Sequence, residues 1–247
     1  MPELSLIIPA YNESKNIPLL LDRASQVLNV PGVELIIVDN GSTDQSQEVL
    51  RELLPKFPFV RSVRVEKNQG YGFGILSGLR AAQGKYLGWT HADLQTDPGD
   101  ALRGLEILRS PANQGKVFVK GKRHGRPIAD VFFTSGMGVF ETILMGTPMW
   151  DINAQPTMFP RSFFEKWVNP PHDFSLDLYS FYMAQRFGYL IERFPVNFGK
   201  RSHGVSHWNV NWQAKIKFIQ RTVDYSLRMR GDLRKLDELN KPSSKPD

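Results

Sequence analysis

The sequence predicts an α/β fold: a mostly parallel central sheet with helices on both faces. Three observations predict it. Short apolar runs alternate with helix-period segments through the first ninety residues, as in strand–helix–strand units. Runs such as Leu4–Pro9 and Glu34–Val38 are apolar at nearly every position, as strands covered on both faces are. Polar, acidic or glycine-containing turns follow the first, second and fourth runs, at the strand ends where open α/β sheets bind ligands.

In chain order, Leu4–Pro9 reads as a buried strand and Asn16–Leu28, with leucines at helical spacing, as a helix. Glu34–Val38 is a second strand, Thr43–Leu54 a helix, Arg61–Val65 a strand, Phe73–Ala82 a helix and Tyr86–Thr90 the fourth strand. Leu102–Leu108 is expected to be helical, Val117–Val119 extended, Val131–Met145 helical and Tyr189–Pro195 a late strand. From Trp212 to Met229, helical spacing puts Trp212, Ile216, Ile219, Val223 and Leu227 on one face. The expected organisation is one domain over 1–211, a basic amphipathic helical appendage over 212–240 and a disordered tail over 241–247, with no internal repeat.

Composition narrows the class. A chain of 247 residues with 41% hydrophobic and 23% charged residues carries a packed core, which excludes a disordered or fibrous protein. Cysteine is absent, so thiolate chemistry and disulfides are excluded and a reducing compartment is the default. No leader is read in MPELSLIIPAYNE, and the expected location is cytoplasmic, at the cytoplasmic face of a membrane if the C-terminal helix lies on lipid. The net charge of +6 suits nucleic acid, anionic lipid or phosphorylated small molecules. The most apolar stretch, Val131 to Trp150, has the length of a spanning helix. Glu141, three glycines and Pro148 interrupt it, so it is read as buried or interfacial.

The strand-end turns carry the chemistry. Asp39 ends an apolar strand, where a carboxylate needs a partner; a ribose or base fits. Ser42 or Thr43 is read as capping the next helix, with Asp44 favouring its positive N-terminus. Pro9-Ala10-Tyr11-Asn12-Glu13 turns from strand to helix, with Asn12 or Ser14 as cap, and offers Tyr11 and Glu13 to the same edge as Asp39. On an extended segment His91, Asp93 and Gln95 share one face. An imidazole, a carboxylate and an amide oxygen suit Mg²⁺ or Mn²⁺ that keeps waters and diphosphate oxygens. The bland reading of the same segment is a helix entry at Thr96–Pro98. Two basic, glycine-containing stretches, Lys120–Arg126 and Lys200–Trp208, have a phosphate-binding composition; one alone reads better as a solvated loop, while the two together with the acidic motif suggest a diphosphate held between them. Gly70 and Gly74 in Asn68–Gly74 read as backbone clearance near a helix start, and no Walker A or G-x-G-x-x-G sequence is present.

In this order PAYNE, DNGSTD, the N-x-G-x-G segment at Asn68 and HADLQTDP resemble inverting family-2 glycosyltransferases of the GT-A fold. GKR at Gly121–Arg123, DINAQPTMFPR at Asp151–Arg161 and PVNFGKRSHGVSHW at Pro195–Trp208 resemble the branch of dolichyl- and polyprenyl-phosphate sugar transferases. The resemblance runs from Pro2 to Trp208. It implies a nucleotide site lined by Pro9, Tyr11, Glu13 and Asp39, with Val38 and Asn40 beside them and His91 and Ala92 on the substrate side. It implies metal binding at Asp93 with Gln95, phosphate contacts from Arg123, and an R-x-x-G-x-S element at Arg201, Gly204 and Ser206. His207 stands where the family usually has lysine, and His91 replaces the first aspartate of Asp-x-Asp. The NAQPT segment at Asn153–Thr157 lacks the arginine often present in the lipid-phosphate branch.

The expected reaction is displacement at the anomeric carbon of a nucleoside-diphosphate sugar. Asp93, through Mg²⁺ or Mn²⁺, and Arg201 with Arg123 would stabilise the leaving diphosphate. A polyprenyl-phosphate acceptor needs no base; a glycan hydroxyl does, and Asp177 in DFSLDLY is the candidate, unless it is a solvated carboxylate at a helix start. A non-catalytic transferase-fold subunit, prompted by His91, and a basic nucleic-acid-binding module stay open as alternatives. The latter lacks basic residues interleaved with aromatics, so no nucleic-acid partner is expected.

Overall fold

The computed structural model describes residues 1–125, 128–199, 220 and 222–231. Seven strands form one sheet in the order β3-β2-β1-β4-β6-β5-β7. They are β1 (Leu4–Ala10), β2 (Val33–Asn40), β3 (Val60–Val65), β4 (Tyr86–Trp89), β5 (Val117–His124), β6 (Thr157–Pro160) and β7 (Leu190–Asn197). Every strand runs the same way except β6, which is antiparallel to both β4 and β5. The α/β reading holds.

Alternation along the strands splits the core between two faces. Leu6, Ile8, Leu35 and Ile37 point to one face. They pack there against α1 (Asn16–Val27), α2 (Ser46–Leu53) and α4 (Asp100–Arg109). Ile7, Ile36, Val38 and Trp89 point to the other, against α3 (Tyr71–Ala81), α6 (Arg161–Phe164) and α7 (Ser175–Arg186). Here α3 lies so close to the sheet that a Cβ on Gly78 would stand 2.4 Å from Ile7 Cγ2 and 2.9 Å from Val38 Cγ2.

Several boundaries differ from the sequence reading, each for a local reason. The helix expected from Thr43 starts at Ser46, because residues 42–44 bond to the β1 loop instead. The fourth strand ends at Trp89, because β1 pairs with it only as far as Ile7. The fifth continues to His124 through its pairing with β7, so Lys120–Arg123 belong to a strand and not to a basic loop. The short strand β6, α6 and a 3₁₀ turn at Pro111–Asn113 have no counterpart in the reading.

Helix α5 (Ile128–Met145) follows β5. A helix at residues 222–231 packs against it: Ser226 Oγ donates to a Glu141 carboxylate oxygen at 3.0 Å, and Met229 is buried. Apart from this helix and residue 220, the expected appendage over 212–240 and the tail over 241–247 lie outside the described residues. No helix among the described residues is long and apolar enough to cross a membrane.

Candidate active site

The C-terminal ends of β1, β2, β4, β5 and β7 open on one edge. There β1 and β2 run in register from Leu4↔Val33 to Ala10↔Asp39, so their exit loops leave side by side and join. Asn12, in the left-handed region at φ 58°, accepts from the Thr43 N–H at 2.8 Å and the Asp44 N–H at 3.3 Å through its side-chain oxygen. In return, the Asn12 N–H donates to Ser42 Oγ and the Glu13 N–H to Ser46 Oγ, both at 3.0 Å. Asn12 and Ser42 therefore hold the two loops together rather than capping helices. Neither α1 nor α2 has a side-chain cap at its N-cap residue, Lys15 or Gln45, and Asp44, expected at the positive end of α2, accepts the Ser46 N–H at 3.0 Å.

Asp39 is buried, as a carboxylate closing an apolar strand, and its partners are internal. Arg64 pairs with one oxygen, and the Ser42 N–H donates to the other at 2.9 Å. Asn40 donates to the Gly70 carbonyl at 2.9 Å, and its buried side-chain oxygen has no partner. Gly70 sits at φ 112°, where a Cβ would meet the His172 carbonyl, and a Cβ on Gly74 would meet Asn40; both glycines provide clearance as read. Tyr11 is exposed, Pro9 and Glu13 half-buried, and Val38 packs in the core.

Beyond β4 the chain is a turn, not the extended segment that put His91, Asp93 and Gln95 on one face. Leu94 takes φ 56°, and the Gln95 N–H folds back to the buried Asp93 carboxylate at 3.1 Å. The Gln95 amide nitrogen donates to the Gly199 carbonyl at 3.2 Å, and the Gly199 N–H donates to the Gln95 carbonyl at 2.8 Å. The Gln95 amide nitrogen and main chain are thus tied to Gly199 and Asp93. Ala92 is buried, and the half-buried His91 ring stacks on Tyr71 at 5.9 Å. Tyr71 in turn stacks on Phe174 at 4.7 Å. Among the described residues, no three His, Asp or Glu side chains gather closely enough to hold a metal by themselves.

Asp177 lies in the first turn of α7 but is buried, not solvated. Its carboxylate accepts from Gln155 Nε2 at 2.8 Å and Trp89 Nε1 at 3.3 Å. The Tyr71 hydroxyl is pushed well above the ordinary phenol range, by burial first and then by the Asp177 charge. Lys120 is fully buried, donates to Thr157 Oγ1 at 2.7 Å, and is lowered by burial to about 7. Arg123 is held by Asp151, whose carboxylate accepts from Nη2, from Nε at 2.8 Å and from the Arg123 N–H at 3.1 Å. Its guanidinium also lies over Phe198 at 5.3 Å.

The structure thus brings Tyr11, Glu13, Asp39, Asn40, His91 and Asp93 to one edge, with Arg123 at the end of β5. Arg201, Gly204, Ser206 and His207 lie outside the described residues. Sequence reasoning missed Arg64, Tyr71, Gln155 and Asp151 as partners. None of them left a local sequence signal: Arg64 meets Asp39 only through the β2–β3 register.

Residues 5–186 match the family model described as "Glycosyl transferase family 2". The chain is 31% identical over 121 residues to a dolichol-phosphate mannosyltransferase of Pyrococcus furiosus, covering 48% of this chain and 34% of that protein. It is 25% identical over 221 residues to a dolichyl-phosphate beta-glucosyltransferase of Dictyostelium discoideum, covering 78% and 65%. It thus spans less than two thirds of the length of either relative. Glucosyl-3-phosphoglycerate synthase from Mycobacterium tuberculosis, solved with Mn²⁺, UDP and glucosyl-3-phosphoglycerate, superposes with a TM-score of 0.67 at 20% identity, over 93% of this chain and 80% of that one. That likeness shows the fold.

Proposed function

Because the chain belongs to glycosyl transferase family 2, we propose that it transfers a sugar, with inversion, from a nucleoside-diphosphate sugar to a polyprenyl phosphate. The names of the two relatives support a lipid-phosphate acceptor. The observation that carries the choice is the state of Asp177. A hydroxyl acceptor needs a base within reach of its proton. The one carboxylate suggested for that role is buried and occupied by Trp89 and Gln155. A phosphate acceptor is already an anion and needs none.

In this reading the joined β1 and β2 loops hold the nucleoside, with Tyr11 and Glu13 exposed enough to contact it. Asp39 acts through the Ser42 N–H and Arg64 to keep the second loop in shape. His91, Asp93 and Gln95 would hold the cation. They supply one carboxylate, one imidazole and one amide oxygen, which suits an ion completing its shell with phosphate oxygens and water. Bound there, Mg²⁺ or Mn²⁺ offsets charge on the departing diphosphate. Arg123 adds positive charge, preoriented by Asp151. Arg201, outside the described residues, would serve the same diphosphate on the resemblance of its R-x-x-G-x-S element. The acceptor phosphate oxygen bonds to the anomeric carbon as the bond to the diphosphate oxygen breaks on the opposite face.

The test incubates the protein and Mn²⁺ with radiolabelled nucleotide sugars and detergent-dispersed polyprenyl phosphate. Label extractable into organic solvent is the expected result and identifies the donor. Release of nucleoside diphosphate with all label left in water would overturn the lipid-phosphate acceptor.

A further inference from the structure

We propose that Tyr71 is a positioning residue for the cation: its ring, held by the start of α7, fixes the plane of the His91 imidazole. The proposal rests on the reading above of His91 as a cation ligand.

The need follows from the type of ligand. A carboxylate meets a cation through either of two oxygens and over a wide range of directions. A neutral imidazole offers one acceptor nitrogen, its lone pair lying in the ring plane. A histidine that stands where the resemblance expects an aspartate therefore has to be aimed. Metal-binding histidines are ordinarily aimed by a hydrogen bond from the other ring nitrogen. Among the described residues His91 shows no such bond; it shows a ring, Tyr71, at 5.9 Å between centroids and 17° between planes.

Tyr71 is itself fixed by the segment that leads into α7. It stacks on Phe174 at 4.7 Å and 12°, and its buried hydroxyl lies in the field of the Asp177 carboxylate. Its backbone stands between two glycines. A Cβ on Gly70 would come within 2.4 Å of the His172 carbonyl oxygen, and one on Gly72 within 2.6 Å of those of Pro171 and Asp173. The Phe73 N–H donates to the His172 carbonyl at 2.9 Å. Residues 171–174 thus grip the start of α3 by main chain and side chain at once.

The remainder of the His91 turn is held by other means. The Thr90 N–H donates to the Ile7 carbonyl at 3.0 Å, and the Thr90 and Thr96 hydroxyls bond to each other at 3.1 Å. Gln95 is tied to Asp93 and Gly199. Asp177 accepts from the indole N–H of Trp89, two residues before His91. The imidazole is the part of the turn left to Tyr71. Nearly parallel rings at these separations attract one another, so the Phe174–Tyr71–His91 series gives the imidazole a preferred plane before an ion arrives.

The test melts the full chain in excess GDP and, separately, excess UDP, and reads the Mn²⁺ concentration that gives half of the added stabilisation. Tyr71→Leu should raise that concentration about tenfold or more, while its stabilisation by nucleotide in EDTA stays that of the wild type. Tyr71→Phe keeps the ring and should stay within about twofold. Phe174→Ala, at the exposed rim of the series, should shift the Mn²⁺ requirement the same way by about threefold, and carries the test if Tyr71→Leu does not fold. Equal losses in EDTA and in Mn²⁺ would make Tyr71 a general packing residue and overturn the proposal. So would equal losses in Tyr71→Phe and Tyr71→Leu, or a wild-type Mn²⁺ requirement in both Tyr71→Leu and Phe174→Ala. If the wild type transfers sugar to polyprenyl phosphate yet Mn²⁺ adds no stabilisation with either nucleotide, the acceptor reading stands and the positioning role falls. The Mn²⁺ pattern without transfer to that lipid supports the role of Tyr71 and removes the acceptor reading.

Discussion

Lys120 is the residue whose energetics the structure changes most. In the sequence it heads a basic stretch; in the fold it is buried on β5 with Thr157 Oγ1 as its hydrogen-bond partner. Burial lowers its pKa to about 7 from 10.5. Between those values the unfolded chain binds the proton and the folded chain does not, so stability rises with pH by at most about 1.4 kcal/mol per pH unit. Below the lower value the folded state must hold a buried ammonium and the contribution is least favourable. Urea midpoints from pH 7.5 to 9.5 should therefore climb in the wild type and be flatter in Lys120→Met, which fills the space without an amine. Glu141 acts below this window: raised to about 7, it lowers stability as pH rises from 4.5 to 7 and is then constant. Legibility at this scale follows sequence separation. Asp39 was readable because a carboxylate closing an apolar strand announces a need. Its partner Arg64 was not, because that pairing depends on the β2–β3 register. The Asp177 cluster joins β4, the turn before β6 and α7, and no local pattern links those residues.

At the scale of elements, the periodicity of the first ninety residues was enough to place four strands and three helices, because each is long or apolar enough to state its own period. The failures share a cause. Strand β6 has four residues, Thr157–Pro160, and exists through pairing with β4 and β5 on either side; four residues carry no period of their own. Helix α5 was legible as a helix but its facing was not, since it is apolar on both sides: Leu144 and Met145 pack into the core while Val139, Phe140 and Ile143 stand exposed. The most demanding contact among these elements is α3 on β1 and β2. Gly78→Ala places a methyl against Ile7 and Val38 with no room to move into solvent. It should cost about 1–3 kcal/mol in stability, read as a lower denaturant midpoint with an unchanged slope. An unchanged midpoint would show that α3 can lift from the sheet, and the loops at its N-terminus, Gly70 included, would then be less fixed than their contacts imply.

For the whole molecule, the edge built by five strand ends determines how ligands should couple to stability. The β1 and β2 exit loops are already joined by Asn12, Ser42 and Ser46, so on the proposed reading a nucleoside diphosphate meets a formed surface and its binding energy adds directly to folding. The cation does not meet such a surface. On the proposed reading one carboxylate, an imidazole and an amide oxygen would come from the protein, and among the described residues no three His, Asp or Glu side chains gather to hold a metal. Cation binding should therefore depend on the diphosphate, which brings the missing charge. At a hundred times its dissociation constant a ligand adds about 2.7 kcal/mol, roughly 5–10 °C in a chain of this size. Melting with Mn²⁺ alone should leave the midpoint where it is. A nucleoside diphosphate in EDTA should raise it partway, and the two together should give the full shift. The ordering is the informative part. Stabilisation by Mn²⁺ alone equal to that of the pair would mean that the protein holds the ion without the nucleotide, and that the His91 position costs the metal site nothing.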